Sequence, residues 1–384
     1  MFQLTKFGNL LKIITLAFFL IPVLPSSVSG QNFRQGEAGL WVDSVLNSLS
    51  TDQRIAQLLM IRAYSNRDAQ YLTDLAALVR EVNPGGVCFF QGGPVRQAQA
   101  INVLQENAQT PLLVALDAEW GPGMRLDSIN WFPKQMTLGA IQNDSLIYQM
   151  GAGIAAQLKR LGVHVSFSPV ADVNNNPANP VINARSFGED RLRVAQKSAF
   201  YMKGLQDHGI FAVAKHFPGH GDTGSDSHYT LPVINKSRQQ LDSTELFPFR
   251  VLIGQGVKGI MISHLAVPAI DSSAKAIATL SQPMIKNLLN GELGFTGMVI
   301  TDGMDMKGLT DFSDPRMVEA DALIAGNDIL LLPVDARKAV SNIRAAIDSG
   351  YLSMDLVNQK VRKVLLWKYE AGLNRLRPIV QKAP

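Results

Sequence analysis

Short apolar runs that alternate with amphipathic segments are the feature that most limits how this chain can fold. There are eight, at Leu58–Ile61, Gly85–Phe90, Leu112–Leu116, Val163–Phe167, Ile210–Ala214, Gly259–Ile262, Met298–Ile300 and Ile329–Leu332. Runs without a polar face are typical of parallel strands that are covered by helices on both sides. Eight strand–helix units predict a (β/α)8 barrel, and 384 residues are enough for one such barrel with additions.

The segments between the runs have the spacing of amphipathic helices. Leu40–Leu49 is apolar at helical intervals, and the residues Ser50-Thr51-Asp52 predict a cap for a helix that begins near Gln53. The segment Ser145–Leu161 places Leu146, Met150, Ile154, Leu158 and Leu161 on one face. No linker divides the chain, so we favour a single catalytic domain over residues 40–373 rather than a doubly wound sheet.

The first thirty residues have the pattern of a secretory signal peptide. Lys6 and Lys12 precede an apolar run over residues 13–24, and small residues follow before the predicted cleavage site. The run is too short for a membrane span, so we expect an exported protein, periplasmic or extracellular, whose mature chain does not span a membrane. We expect residues 31–39 to be flexible and residues 374–384 to be a tail or the start of a linker.

Charge and cysteine content limit the classes of partner. The formal net charge is +4, and removal of the first thirty residues, which contain two lysines and no acids, lowers it to +2. A nearly neutral mature chain gives no reason to expect nucleic acid or an anionic membrane as a partner. The single cysteine, Cys88, lies within an apolar run, which predicts a buried side chain rather than a disulfide or a nucleophile.

The stretch Ala214–Tyr229, AKHFPGHGDTGSDSHY, follows the fifth apolar run and contains a lysine, three histidines and two aspartates. A polar, glycine-rich loop directly after a buried strand is typical of the catalytic face of a barrel. His216 and His220 are four residues apart, but Pro218 and Gly219 exclude a helix that would place both on one face as zinc ligands. We expect no metal and no cofactor, and we favour a catalytic loop over one whose histidines only satisfy backbone groups.

Polar side chains also follow the other apolar runs. They are Asp117, Glu119 and Arg125 after the third run, Asp172, Asn174 and Arg185 after the fourth, His264 after the sixth, and Asp302 and Asp305 after the seventh. The C-terminal ends of parallel strands meet at one face of a barrel, so these groups are expected to converge there. Carboxylates, arginines, a lysine and histidines at one site suit a ligand rich in hydroxyl groups.

Four motifs make the chain resemble family 3 of the glycoside hydrolases, and within it the β-N-acetylhexosaminidase (β-N-acetylglucosaminidase) branch. They are KHFPGHGDT with DSH at 226–228, RSFGED at 185–190, D-x-E with a following arginine at 117–125, and ITDGMDM at 300–306. The resemblance covers Leu40 to Leu373, and its most specific part is the histidine loop, the stretch Ala214–Tyr229. It implies a (β/α)8 barrel and hydrolysis with retention of configuration through a covalent glycosyl-enzyme.

The resemblance implies catalytic roles for three residues. Asp302 matches the position of the family's nucleophile, and a carboxylate suits this role because it can attack the anomeric carbon and later leave. Asp305, three residues on, is the competing candidate. His228, with Asp226 two residues before it, matches the acid/base pair of this branch. Imidazole titrates near neutral pH, so it can give a proton to the leaving oxygen and then take one from water.

By the same resemblance, five residues are implied to bind the sugar: Asp117, Arg125, Arg185, Lys215 and His216. For five other residues the sequence indicates a structural role or leaves two roles open. His220 and Asp222 are expected to brace the loop, and His264 either lines the pocket or is structural. Glu119 either braces Arg125 or binds the ligand, and Trp120 either stacks on a sugar or fills the barrel rim.

These observations favour an exported, exo-acting β-N-acetylglucosaminidase that takes saccharides containing N-acetylglucosamine. Peptidoglycan turnover, chitin oligomers and host glycans would all supply that terminal sugar. Three alternatives remain at this stage. One is a β-glucosidase of the same family, and another is a phosphorylase, since a histidine acid/base does not repel phosphate as a carboxylate would. The third is a sugar-binding barrel without catalysis.

Overall fold

The computed structural model describes residues 36–273, 276–375 and 378–379. The predicted signal peptide lies outside these residues, as does most of the segments 31–39 and 374–384. The domain boundaries given above therefore stay predictions. Within the described ranges, no helix is both long enough and apolar enough to cross a membrane.

Eight parallel strands form the centre of the fold. They are β1 (Leu59–Ala63), β2 (Gly86–Phe89), β3 (Leu113–Leu116), β4 (Val165–Ser166), β5 (Phe211–Phe217), β6 (Gly259–Ile262), β7 (Met298–Thr301) and β8 (Leu330–Leu331). Each strand from β1 to β6 pairs with the next along the chain, and β8 pairs with β1. A parallel bridge between Ile300 and Ile329 joins β7 to the residue that enters β8. The strands form a nearly closed barrel, which confirms the predicted (β/α)8 fold.

Helices cover the outside of the barrel. They are α1 (Glu37–Ser48), α2 (Thr51–Ala56), α3 (Ala69–Val82), α4 (Pro94–Asn107), α5 (Gln135–Gly139), α6 (Asp144–Arg160), α7 (Arg191–Gln206), α8 (Arg238–Ser243), α9 (Leu246–Gly254), α10 (Lys307–Thr310), α11 (Val318–Ala325), α12 (Ala336–Asp348) and α13 (Met354–Glu370). A π-helix, Pro283–Glu292, lies between β6 and β7. The apolar face expected for Ser145–Leu161 belongs to α6, in which Met150, Ile154 and Leu158 are buried.

The start of α1 corrects one expectation. Residues 37–39 were expected to be flexible, but α1 begins at Glu37 and these residues form its first turn. The Glu37 carboxylate stabilises this end, because the N-terminus of a helix carries a partial positive charge. The next helix, α2, begins at Thr51 with Ser50 as its cap. Ser50 and Gln53 each accept a hydrogen bond from the other's backbone N–H, so the predicted cap is confirmed as a capping box.

The fifth strand is longer than its apolar run. The run ends at Ala214, whereas β5 continues to Phe217, and its register against β6 shifts between these two residues. Lys215 and His216 therefore belong to the strand rather than to the loop. Their backbone is held by the barrel itself, which fixes the positions of both side chains.

Helices α6 and α7 approach each other closely at two glycines. A Cβ atom on Gly204 would lie 2.3 Å from the carbonyl oxygen of Tyr148, and one on Gly151 would lie 2.6 Å from that of Tyr201. Backbone atoms cannot move aside as the end of a side chain can. The packing of these two helices thus requires the absence of a side chain at both positions.

We predict that Gly204→Ala lowers the free energy of unfolding by about 1–3 kcal/mol, because the added methyl group forces α6 and α7 apart. Gly254→Ala is the matched control, since Gly254 lies in α9 and a Cβ there would meet nothing within 4 Å. The control should be neutral or slightly stabilising. Urea unfolding of both variants measures the difference, and equal stability of the two would contradict the requirement for close packing.

Lys368 is a fully buried lysine in α13. Its ammonium group donates to the side-chain oxygen of Gln57. Burial holds the pKa of Lys368 well below its usual value, because no carboxylate among the described residues pairs with it to offset the loss of hydration. The folded chain therefore holds this proton less tightly than the unfolded chain, and this difference lowers stability at pH values below the unfolded pKa.

The sign of this effect gives a pH-dependent prediction. The stability contribution of Lys368 is full only above the unfolded pKa of about 10.4, so stability should rise with pH by up to about 1.4 kcal/mol per unit just below that value, between about pH 8 and 10. Lys368→Met should lose this part of the slope, whereas Lys203→Met, at an exposed position in α7, should keep it. Urea unfolding at both pH values measures the slopes. Identical slopes for wild type and Lys368→Met would mean that the folded protein keeps Lys368 protonated.

Candidate active site

One cavity of about 430 Å³ opens at the C-terminal ends of the strands. Its floor is apolar and formed by Cys88, Phe167, Met261 and Leu331. Seven of the eight residues predicted to form the site line it: Asp117, Arg125, Arg185, Lys215, His216, His228 and Asp302. The eighth, Asp226, contacts His228. The polar groups that follow β3, β5 and β7 therefore converge at one face, as the barrel topology requires.

A network of alternating charges forms one wall of the cavity. The Lys215 ammonium lies 2.7 Å from Asp117 Oδ1 and 2.9 Å from Glu119 Oε1. Arg125 donates to the other oxygen of Asp117 at 2.5 Å, and Arg185 binds both oxygens of Glu119 at 2.7 and 2.9 Å. Two carboxylates are thus held between three cations, and each carboxylate is shared by two of them.

Both carboxylates of this network are ionised. Burial alone would raise the pKa of Glu119, but Arg185 and Lys215 outweigh it and lower the value to about 2. For Asp117, Lys215 and Arg125 likewise outweigh burial and hold the pKa well below its usual range. Neither group can give a proton at neutral pH. They can accept hydrogen bonds, and the three cations beside them can donate, which is the chemistry that sugar hydroxyls require.

The contacts of Glu119 answer a question that the sequence left open. Glu119 is fully buried and does not hydrogen-bond to Arg125; its partners are Arg185 and Lys215. Arg185 lies in the segment after β4, and Lys215 lies in β5. Glu119 therefore holds two of the predicted sugar-binding cations in place.

Asp172 organises the beginning of the histidine loop. Its fully buried carboxylate accepts a hydrogen bond from His216 Nδ1 at 2.7 Å and one from the backbone N–H of His220 at 2.6 Å. Burial would raise the pKa of Asp172, but His216 outweighs it and the value is lowered. The sequence placed Asp172 after the fourth run without assigning it a role in the site. Its partners show that it fixes the ring of His216.

Asp302 directly follows β7 and extends its pairing with β6, since its N–H donates to Ile262 O at 2.8 Å. Its Oδ1 accepts from the N–H of Gly303 at 2.8 Å. Burial would raise the pKa of Asp302, but His216, His264 and this N–H outweigh it, so the pKa is lowered. Among the described residues, no lysine or arginine forms an ion pair with Asp302. The carboxylate is thus ionised without being held by a cation.

Asp305, the competing candidate for nucleophile, has a different environment. Its carboxylate forms an ion pair with Arg62 at 2.8 Å, and both side chains line the cavity. The Arg62 guanidinium also lies 5.0 Å from the centre of the Phe90 ring. A cation beside a carboxylate lowers its nucleophilicity, so this geometry favours Asp302 over Asp305.

His228 and Asp226 form a contact at the edge of the cavity. His228 Nδ1 lies 2.7 Å from Asp226 Oδ1, and the same oxygen accepts a hydrogen bond from the His228 N–H at 2.8 Å. The Asp226 carboxylate therefore fixes the orientation of the ring and, with Nδ1 protonated, leaves Nε2 for proton exchange. The His228 side chain is 57% exposed, unlike the buried residues of the cavity wall.

The chain was compared with known proteins. The model of the glycosyl hydrolase family 3 N terminal domain matches residues 50–366. The chain belongs to glycosyl hydrolase family 3. This finding confirms the family that the motifs resembled, and it agrees with the observed barrel.

Relatives in family 3 are named as hexosaminidases. Beta-hexosaminidase A of Pseudoalteromonas piscicida is 33% identical over 366 residues, covering 86% of this chain and 61% of the relative. A beta-hexosaminidase of Nitrosospira multiformis is 35% identical over 258 residues, covering 65% of this chain and 73% of that protein. The chain thus spans about three fifths of the length of the first of these relatives.

Solved structures show the same fold. A family 3 β-N-acetylglucosaminidase from Paenibacillus is 34% identical with a TM-score of 0.81, and the match covers 88% of this chain and 65% of that one. The beta-glucoside phosphorylase BglX has a TM-score of 0.85 at 23% identity, with 93% of this chain and 64% of that chain covered. At that identity, the second likeness concerns the fold alone.

The remaining residues of this family 3 site have structural contacts. His264 is fully buried, with Nδ1 at 2.7 Å from Thr279 Oγ1 and Nε2 at 2.9 Å from Gly303 O, so it does not line the cavity. His220 does line it, and is braced by Thr223 and Ser227. The ring of Trp120 is half-buried and lies 5.0 Å from the Lys134 ammonium, at the rim of the barrel.

The buried charge network predicts a large effect of one substitution. Glu119→Gln leaves two buried cations with one carboxylate fewer, so we expect the free energy of unfolding to fall by roughly 3–5 kcal/mol. Glu81→Gln is the matched control, because Glu81 binds Arg337 with the same two-bond geometry at 2.7 and 2.8 Å on the protein surface. Removal of that exposed pair should cost less than about 1 kcal/mol. Urea unfolding compares the two, and a similar loss in both would refute the role of burial.

Proposed function

We propose that the chain is a retaining exo-β-N-acetylglucosaminidase, with Asp302 as nucleophile and His228 with Asp226 as the acid/base pair. The observation that carries this proposal is the pairing of an ionised, uncomplexed Asp302 and an Asp226-oriented His228 in the same cavity. The relatives named as hexosaminidases, and the solved β-N-acetylglucosaminidase, support the choice of sugar.

In the first step, an Asp302 oxygen forms a bond to the anomeric carbon as the bond from that carbon to the leaving oxygen breaks. Nε2–H of His228 gives its proton to the leaving oxygen, so the aglycone departs as a neutral alcohol. In the second step, Nε2 takes a proton from water while the water oxygen displaces the Asp302 carboxylate. The product keeps the configuration of the substrate, and both residues return to their starting states.

The wall of the cavity supplies binding for one terminal sugar. Asp117 accepts hydrogen bonds from hydroxyl groups, and Arg125, Arg185 and Lys215 donate them, while buried Glu119 holds Arg185 and Lys215 in place. The packed core of the barrel limits the depth of the cavity, which suits a sugar at the end of a chain rather than one within it. His216, oriented by Asp172, presents its Nε2 on the same side as Arg185, 3.4 Å away.

Phosphorolysis is the second candidate, favoured by the use of histidine in place of a carboxylate. A neutral imidazole beside the glycosyl-enzyme does not repel a phosphate dianion, so phosphate could replace water in the second step. The β-glucosidase alternative has its support in a Cellulomonas fimi relative that is named for both activities and is 28% identical. The exported location rests on residues 1–30, and a role in peptidoglycan turnover rests on the choice of sugar; both are part of the proposal.

We predict that the chain hydrolyses 4-nitrophenyl β-N-acetylglucosaminide much faster than the β-glucoside. Asp302→Ala should lose activity almost completely, and His228→Ala should lose roughly 10²- to 10⁴-fold in kcat/KM for a leaving group that needs protonation. Steady-state kinetics with the two 4-nitrophenyl substrates measures the sugar preference and the effect of Asp302→Ala, and kinetics with chitobiose measures the effect of His228→Ala. NMR of the first product anomer tests retention.

Other outcomes would change the assignment. Better turnover of the glucoside would contradict the hexosaminidase reading, and activity that survives Asp302→Ala but not Asp305→Ala would move the nucleophile to Asp305. Formation of a sugar 1-phosphate in phosphate buffer would favour the phosphorylase. No turnover of any substrate by the folded chain would favour a sugar-binding barrel or a requirement for further parts of the protein.

A further inference from the structure

Ser227, the residue between Asp226 and His228, is a firmly held position of the histidine loop. Ser227 is only 2% exposed, although the His228 side chain beside it is 57% exposed. Its hydroxyl lies 3.1 Å from His220 Nε2, and its carbonyl oxygen accepts a hydrogen bond from the Gly308 N–H at 3.0 Å. The loop is therefore fixed at Ser227 by both its side chain and its backbone.

The two groups that hold Ser227 belong to different parts of the barrel. His220 is itself fixed, since its N–H donates to Asp172 and its Nδ1 lies 2.7 Å from Thr223 Oγ1. Burial, with the nearby His216, lowers the pKa of His220 to about 4, so its ring is neutral at neutral pH. A neutral imidazole has one donor and one acceptor nitrogen, and the hydroxyls of Thr223 and Ser227 can satisfy both.

Gly308 permits an unusually close approach on the other side. It lies in α10, six residues after Asp302 along the chain. A Cβ atom there would lie 2.7 Å from the carbonyl oxygen of Ser227 and 2.8 Å from that of Thr230. Any side chain at position 308 would therefore push the loop away from the segment that carries the nucleophile.

We propose that Ser227 is a positioning residue, whose contacts with His220 and Gly308 hold His228 over the cavity for proton transfer. This inference rests on the proposed function of His228 as acid/base. Ser227 does not itself touch the reacting atoms. It fixes the backbone between Asp226 and His228, while Asp226 fixes the His228 ring. Without the contacts of Ser227, the loop spends less time in the conformation in which His228 Nε2 faces the leaving oxygen.

The dependence on the leaving group distinguishes positioning from a general loss of structure. The value of kcat/KM reports the steps up to departure of the aglycone, and only a poor leaving group needs a full proton from His228. For Ser227→Ala we expect kcat/KM for chitobiose to fall roughly tenfold, the size of one lost hydrogen bond, and that for the 4-nitrophenyl substrate to change little. Ser225→Ala, two residues away on the same loop and without a hydrogen bond from its side chain among the described residues, should change neither.

A pair of variants at position 220 tests the same contact from its other side. Asparagine places its amide near the position of Nδ1 and glutamine near that of Nε2, so His220→Asn should lose the Ser227 contact and His220→Gln should keep it. We expect His220→Asn to show the leaving-group effect of Ser227→Ala, and His220→Gln to show less of it. In the double variant Ser227→Ala/His220→Asn the loss should not exceed that of the worse single variant.

His228→Ala separates this inference from the proposed function. A leaving-group-dependent loss in His228→Ala with none in Ser227→Ala and His220→Asn would overturn the positioning role alone. No such loss in His228→Ala would overturn the acid/base assignment and the inference together. An equal loss on both substrates in Ser227→Ala and in His220→Asn, with a lowered melting temperature, would make Ser227 a stabilising residue only.

Discussion

The Lys215 ammonium joins two strands of the barrel that do not pair with each other. It lies between Asp117 and Glu119, which follow β3, while Lys215 itself is in β5, with β4 between them. Removing such charges from water costs several kcal/mol each, and their attraction offsets this cost only when the geometry is good. That geometry exists only once the strands have assembled. The shape of the cavity wall therefore depends on completion of the barrel, and the wall is as rigid as the strands that carry it.

The site consists of this rigid wall and of a loop that meets water. The wall is buried and ionised, so its carboxylates can accept hydrogen bonds but cannot exchange protons near neutral pH. In the proposed mechanism, proton exchange falls to His228, which is largely exposed and oriented by Asp226. Exposure gives the His228 ring access to water for the second step, but an exposed ring is less restricted in its position. The contacts of Ser227 with His220 and Gly308 restrict the loop, because they connect it to a buried histidine and to the segment after Asp302.

The positions of the strands and the gathering of the site could be predicted from sequence, because strands buried on both sides give uninterrupted apolar runs and parallel strands bring their C-terminal ends together. The partners within the site could not. Glu119 binds Arg185, sixty-six residues away, rather than the nearer Arg125, because the directions of side chains at the strand ends decide the pairing. The roles of Asp172 and Ser227 were missed for the same reason. Residues 37–39 look polar and glycine-rich locally, but packing of Trp41 on Tyr369 of α13 holds α1 against the barrel.

The environment of Asp302 suits a group that must both attack and leave. A salt bridge would lower the pKa of Asp302 as well, but the full positive charge of a cation would also make the carboxylate a weaker nucleophile. Here the pKa of Asp302 is lowered by nearby histidines and by the N–H of Gly303. This N–H binds Oδ1, and among the described residues no protein group donates a hydrogen bond to Oδ2. The carbonyl of Gly303 in turn accepts a hydrogen bond from buried His264, so both polar groups of this glycine are fixed. The orientation of Asp302 is thus set through the backbone, whereas the neighbouring Asp305 is bound by the cation Arg62. The distinction between these two aspartates, three residues apart, follows from their partners and not from their chemistry.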